Sequence, residues 1–383
     1  MVLTAVQLLA SAGFVASVAY LAFALSRVLA WRPGPVTLPA DPPGVTVAKP
    51  LCGLEAEMEE NLRSWMAQDY PRFQVVFGVR DADDPAIPFV RKVMADFPAV
   101  DATLVVHNGK EPGTNRKAAN LVRICRVAKH PIVVVSDGDT RATPDLLTAI
   151  ASRYADPAVG AVSCLTVGRP LPGLPSTLGA MFLNEEFLPS VLVSQALQPL
   201  DFCLGPTMSA RRASLEAIGG FEGLTNHLAD DYLLGNRIAA LGQKVELAPR
   251  TVTNVLHEPS LRALFLHELR WARTIRTVRP LSYAGTVVTF SVVWALGALL
   301  AFRFSPAGWL ALAVALALRA GIHRAVRRTF GLGRRPAAGW MPLREILSFF
   351  VYCASHGGRS VFWKKNQFRL SGDGRLHREV DET

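Results

Sequence analysis

No charged residue precedes Arg27. Residues 2–26 form one uncharged apolar run, long enough as a helix to cross a bilayer core of about 30 Å. In lipid a backbone must satisfy its own hydrogen bonds, so such a run is helical, and whatever follows is tied to a membrane. A cleaved leader needs a basic start, a shorter apolar core and a small-residue cleavage site. With no Lys or Arg ahead of it, this run reads as a retained anchor.

The rest of the 383 residues is long enough for one α/β domain of about 200 to 250 residues plus further membrane segments. A net charge of +10 suits nucleic acid, an anionic bilayer surface or an acidic substrate. The distribution decides among them. Arg319, Arg324, Arg327, Arg328, Arg334 and Arg335 crowd beside apolar segments, and no basic stripe is interleaved with aromatics, so nucleic acid is not an expected partner. Cys52, Cys125, Cys164, Cys203 and Cys353 are scattered, without CxxC pairing or zinc-ligand spacing. They read as reduced thiols, which fits a cytoplasmic face.

After the anchor (1–30), a Pro-rich stretch reads as a linker (31–44). Short β-rich runs then alternate with amphipathic windows. Strands are predicted over 45–49, 74–80, 103–106, 132–136 and 159–164, and helices over 57–68, 86–96, 116–128 and 144–154. That pattern predicts a mostly parallel, Rossmann-like sheet covered by helices, in a domain reaching to residue 280 with interfacial helices near its end. In such sheets ligands sit at the carboxyl ends of the strands. Apolar segments at 286–302 and 306–318 predict two transmembrane helices within 281–320, joined as a hairpin. The Arg-rich stretch 319–335 is then cytoplasmic by the positive-inside rule, and the large domain with it, although Arg303 in the outer turn runs against the rule. Residues 321–383 read as a basic loop, a segment at 341–353 and a cytoplasmic tail. That segment contains Arg344 and Glu345, and the tail after it carries Arg359, Lys364 and Lys365. It is expected to re-enter or lie at the interface rather than cross.

Three acidic clusters carry the chemistry. "VRDADDPA" places Asp81 at the end of a β run with Asp83 and Asp84 after it; alone it also reads as a turn. "IVVVSDGDTR" runs an apolar strand straight into Asp137, Gly138 and Asp139. Carboxylates one residue apart at a strand end make a compact oxygen site for Mg²⁺ or Mn²⁺. "HLADDYLLG" opens a helix with Asp230 and Asp231, which alone reads as a cap, but "CLGPTMSARR" and "IGGF" supply small residues of the kind that bring a carboxylate close to a ligand. In "HELRWARTIR", His267, Arg270 and Trp271 share one helix face, suited either to a diphosphate and sugar or to an interfacial helix with snorkelling arginines. The apolar window 181–200 can dip into the interface or pack in a core. Its Glu185 and Glu186 are candidate partners of an acceptor hydroxyl, as is Asp230.

Taken in order, "KPLCG", "DYPRFQVVFGVRDADDPA", "SDGD", "ADDY" and "HELRWARTIR" resemble the inverting GT-A glycosyltransferases of the ceramide glucosyltransferase branch. "HELRWARTIR" and "FLPSVLV" resemble the bacterial hopanoid-biosynthesis glycosyltransferases more closely still. The resemblance runs from Lys49 to the closing "FWKKNQFRL" and implies a GT-A domain inserted between transmembrane helices. It implies that Asp81 contacts uridine, that Asp137 and Asp139 contact the ribose and a metal-bridged diphosphate, and that Asp231 is the general base. His267, Arg270 and Trp271 would match the family's "(Q/R)xxRW" element, with His267 a departure at its first position. "NRKAANL" resembles the donor-loop helix, giving Lys117 and Asn120 donor contacts.

The implied protein is a multi-pass enzyme, expected in a bacterial inner membrane, with its catalytic domain cytoplasmic. It would move N-acetylglucosamine or glucose from a UDP-sugar donor to a membrane lipid, a hopanoid polyol or a ceramide. A processive polysaccharide synthase would need more transmembrane helices than are predicted. A non-catalytic scaffold would be expected to have lost one of the acidic clusters.

Overall fold

The computed structural model describes residues 2–109, 111–333, 338–363 and 366–378; Arg334, Arg335, Lys364 and Lys365 of the basic flanks lie outside them. Two compact units emerge. One comprises Pro33–Leu171, Gln198–His257 and Gly374–Thr383, the other Met1–Arg32, Pro172–Leu197 and Glu258–Asp373. The 45–280 stretch is therefore shared between them.

The first unit is built on strands β1 (Val45–Pro50), β2 (Phe73–Val79), β3 (Asp101–Val106), β4 (Ile132–Ser136), β5 (Thr140–Arg141), β6 (Val159–Pro170), β7 (Thr207–Arg211) and β8 (Lys244–Leu256). They form one sheet in the order β3-β2-β1-β4-β7-β6-β8-β5. The β3-β2-β1-β4 half is parallel throughout, with Val47 opposite Val75 on one side and Val134 on the other. Of these, β4 reads Ile-Val-Val-Val and is buried along its whole length, as a strand covered by helices on both faces should be. Leu62, Trp65, Leu146 and Ile150 from flanking helices join Val47, Val75 and Val134 in the core. β7 runs antiparallel to both β4 and β6, while β6 and β8 pair in parallel over most of their length. The sequence pattern missed β7 and β8, and it ended β6 early. "TMSAR" and "KVELAPRTVTNVL" carry polar and Pro residues that break a β signature, and tertiary pairing overrides that weak local preference.

The second unit is helical. Leu3–Ala30 and Pro306–Thr329 are long and apolar enough to cross a membrane. A third span results if Pro280–Thr289 and Ser291–Ala301, bent by 59° at Phe290, count as one. Small residues let these helices approach: Ala10 packs with Ala298 and Ala301, and Ala295 with Ala315. The helix that begins at Pro306 continues well past the apolar stretch read from sequence. Arg319, the first residue of the Arg-rich stretch expected on the cytoplasmic side, is consequently buried within it.

The bend at Phe290 explains why. A helix start leaves backbone N–H groups without intrahelical partners. Here the Glu345 carboxylate accepts from the N–H groups of Val292 and Val293 and from the Ser291 hydroxyl. Arg319 then balances that carboxylate and also donates to the Thr289 carbonyl. Glu345 lies on the helix Met341–Ser355, whose 15 residues span only about 22 Å, short of a bilayer core.

Candidate active site

β4 delivers Asp137, Gly138 and Asp139 at the carboxyl edge of the sheet, in a turn whose backbone is held from every side. The Asp137 N–H donates to the Pro206 carbonyl (3.1 Å), and the Asp139 carbonyl accepts from the Val255 N–H (2.9 Å). The Asp137 carbonyl accepts from the Thr140 hydroxyl (2.6 Å), from the Thr140 N–H (3.3 Å) and from Lys49 Nζ. Trp65 Nε1 closes the turn by donating to the Thr140 carbonyl at 3.2 Å.

The two carboxylates differ. Asp137 Oδ1 pairs with Lys117 Nζ at 2.6 Å. Asp139 Oδ1 is buried and has no hydrogen-bond partner. Its carboxyl is pushed up to about 7, first by burial and then by the nearby charges of Asp137 and Glu55, with Asn254 and Lys49 opposing.

Lys117 lies in the first turn of the helix Arg116–Val127 and links this turn to the third acidic cluster. The helix is capped by the Asn115 side chain, which accepts from the Ala118 N–H (3.0 Å) and donates to the His227 carbonyl (2.7 Å) and Asp230 Oδ1 (3.3 Å). Burial works against the Lys117 ammonium, but Asp137, Asp230 and Asp231 outweigh it and keep it charged. Asp230 is pushed up to about 6, mainly by burial, with Lys117 opposing and Asp231 adding, and its Oδ2 has no partner. Asp231 is also raised, by desolvation first, against Lys117 and the Tyr232 N–H, which donates to Oδ1 at 2.8 Å. Gly205 leaves the room this needs. A Cβ there would stand 2.8 Å from Asp231 Oδ2, and its carbonyl accepts from Lys117 at 3.2 Å. Asp137, Asp139, Lys117, Asp230 and Asp231 are thus one electrostatic group.

Asp81 stands at the same edge, beyond β2 and two strand spacings (about 10 Å) from β4. It is exposed, with Arg80 Nε at 3.5 Å. Asp83 is exposed as well, whereas Asp84 is buried and ties the loop by accepting from the N–H groups of Gly53 (3.0 Å) and Ala86 (2.9 Å). Asn120 is buried, and its amide donates to the Gly78 carbonyl of β2 at 2.8 Å.

The remaining candidates belong to the helical unit. His267 Nδ1 lies 2.7 Å from Glu258 Oε1, and its ring lies 4.2 Å from that of Trp271, which also stacks on Phe182 at 5.8 Å. Burial lowers the His267 pKa against the Glu258 hydrogen bond, with Arg270 lowering it further. Arg270 shares this helix, Leu261–Val278. Glu185 lies 2.5 Å from His323 Nδ1, and Glu186 accepts from Ser348 Oγ at 2.6 Å. Both carboxylates thus already hold partners within the helical unit.

Sequence reasoning gave no role to Lys49, Glu55, Asn115 or Asn254. Only Lys49 leaves a trace, as a cation inside the apolar strand "VTVAKP".

Among the described residues no group of three or more His, Cys, Asp or Glu side chains is arranged to enclose a metal ion. Two carboxylates from one turn, one with a buried unpartnered oxygen, still fit a hard divalent ion that draws the rest of its oxygen shell from water and substrate phosphates.

The profile of glycosyl transferase family 21 matches residues 9–376. The chain belongs to that family. It is 22% identical over 347 residues to ceramide glucosyltransferase 1 of Caenorhabditis elegans, covering 87% of this chain and 73% of that protein. A ceramide glucosyltransferase of Candida albicans is 33% identical over 119 residues, 27% of this chain and 21% of that one. Among solved structures, a mannosyltransferase from Pyrobaculum calidifontis in complex with GDP-Man and Mn²⁺ superposes with a TM-score of 0.56 at 24% identity, covering 92% of this chain and 99% of that one. The family 21 chain is thus a glycosyltransferase of α/β GT-A fold, with apolar helices before and after the sheet.

Proposed function

We propose that this family 21 enzyme transfers a sugar from a UDP-sugar to a hydroxyl of a membrane lipid with inversion at the anomeric carbon. The observation that carries the reading is the Lys117 ammonium, set between the Asp137–Asp139 pair and the Asp230–Asp231 pair. Donor phosphates belong with the first pair and the reacting hydroxyl with the second. Asp137 and Asp139 would hold the divalent ion, Mg²⁺ or Mn²⁺. A bound ion there supplies positive charge to the leaving group.

Asp231 takes the acceptor proton as the acceptor oxygen bonds to the anomeric carbon and the bond to UDP breaks on the opposite face. Asp230, with one oxygen lacking a protein partner, accepts a hydrogen bond from the same acceptor. Asp81, exposed at this edge, contacts the uridine. For Arg270 and Trp271 the resemblance alone supports a part in donor binding.

The named relatives act on ceramide and the motifs resemble hopanoid enzymes, so the acceptor is a ceramide or a hopanoid polyol and the sugar glucose or N-acetylglucosamine. The apolar helices support a place in the membrane, and the reading is of a multi-pass protein of a bacterial inner membrane with its catalytic unit on the cytoplasmic side, where the Arg-rich stretch would lie.

Asp231→Asn should bind donor normally and lose turnover by about 10² to 10⁴. Labelled UDP-sugar transfer by detergent-solubilised protein measures this, and near-normal turnover removes Asp231 from the role. Mass spectrometry of lipids from cells with and without the gene reads the substrates: a hexose or N-acetylhexosamine increment on a sphingoid or a triterpenoid identifies both partners.

A further inference from the structure

A lysine is costly to bury, and Lys49 is fully buried near the end of the apolar strand β1. Its ammonium does not reach the open edge. It donates to the Asp137 carbonyl, to Thr140 Oγ1 (3.2 Å) and to Ser136 Oγ (3.4 Å), and it lies 5.1 Å from the centre of the Trp65 ring. Ser136 precedes the carboxylate turn and Thr140 follows it, and their hydroxyls lie 2.5 Å apart. One cation therefore clamps both ends of the turn, beneath the carboxylates it displays. Trp65 provides the ring under the cation and at the same time binds the Thr140 carbonyl, so the floor of the turn is a single assembly. No local propensity accounts for this, since an apolar residue at position 49 would pack in the strand. It would remove the donor that the Asp137 carbonyl and the two hydroxyls share, leaving the turn to the bonds Thr140 makes within it.

We infer that Lys49 is the positioning residue of the metal and diphosphate site, fixing the Asp137–Gly138–Asp139 turn so that both carboxylates present oxygens to one divalent ion. The inference rests on the donor reading above. Lys49 touches neither ion nor substrate. It acts through the hydrogen bonds it donates to the turn.

Mn²⁺ binding to the purified full chain in detergent, followed by electron paramagnetic resonance with UDP present, tests it. Loss of a group that orients metal ligands lowers metal affinity by about 10-fold to 100-fold, and that is the expected effect of Lys49→Met. Thr140→Val, which removes one of the clamped hydroxyls, should shift affinity in the same direction by less, and Thr140→Ser should restore it. If Lys49→Met does not fold, the Val and Ser pair at position 140 decides. Wild-type affinity in Lys49→Met, or in Thr140→Val where Lys49→Met is unfolded, overturns the assignment of Lys49 alone. Absence of UDP-dependent Mn²⁺ binding in the wild type overturns the donor reading itself, and this inference with it.

Discussion

A carboxylate that takes a proton near neutral pH works best when its own pKa approaches that pH. Asp231 is raised by desolvation, with the Lys117 charge opposing. Since only the ionised form accepts a proton, kcat/KM should fall as pH drops through this raised value, giving an acid limb above the ordinary Asp value of about 3.9. Lys117→Met removes the opposing charge and should move that limb higher; a pH–rate profile without any such limb denies Asp231 the role. Asp139, pushed up to about 7, makes a different demand. An ion must displace its proton, so Mn²⁺ affinity should weaken below pH 7, approaching about tenfold per pH unit. Titrations at pH 6 and pH 8 with equal affinity would contradict this. The same shift has a stability sign. Between about pH 4 and pH 7 the folded state holds a proton that the unfolded chain has released, so ligand-free stability falls as pH rises through that window.

Helix contacts in the apolar unit depend on small residues placed one by one. A Cβ on Gly13 would collide with the Trp294 ring, whereas one on Gly297 meets nothing within 4 Å. Gly13→Val should therefore lower the thermal unfolding temperature in detergent, and Gly297→Ala should leave it near the wild-type value. Glu345→Gln should lower it too, by about 3 to 5 kcal/mol of stability, because it leaves Arg319 buried without its counter-charge.

These elements also mark what the sequence can disclose. An apolar strand running into Asp137 and Asp139 is visible, because buried strands seldom end in carboxylates without a partner. Lys49 is not visible as a floor cation, because a lysine at a strand end looks the same whether it faces solvent or the Asp137 carbonyl. Arg344 and Glu345 argued against a further crossing at 341–353. What they do is set by partners far along the chain: Arg344 makes paired 2.7 Å bonds to Glu268, and Glu345 closes the bend at Phe290.

At the scale of the whole chain, each unit is assembled from separated stretches, and the apolar one gathers residues from the first helix to Asp373. Periodicity reports which stretches are helices or strands, and that much of the α/β sheet and of the apolar helices was legible. It does not report which stretches join, so 172–197 and the helix after Glu258 read as parts of the catalytic domain.

The helix that begins at Ser291 takes its terminal hydrogen bonds from a residue 54 positions later. A ribosome releases Ser291 long before Glu345, so during synthesis the amides at 292 and 293 precede the carboxylate that accepts from them in the finished fold. A chain cut at residue 338 should therefore be cleared rapidly in a pulse-chase experiment, and a separately expressed 339–383 fragment should prolong its life. Survival of the shortened chain at the full-length rate would show that the bend closes some other way.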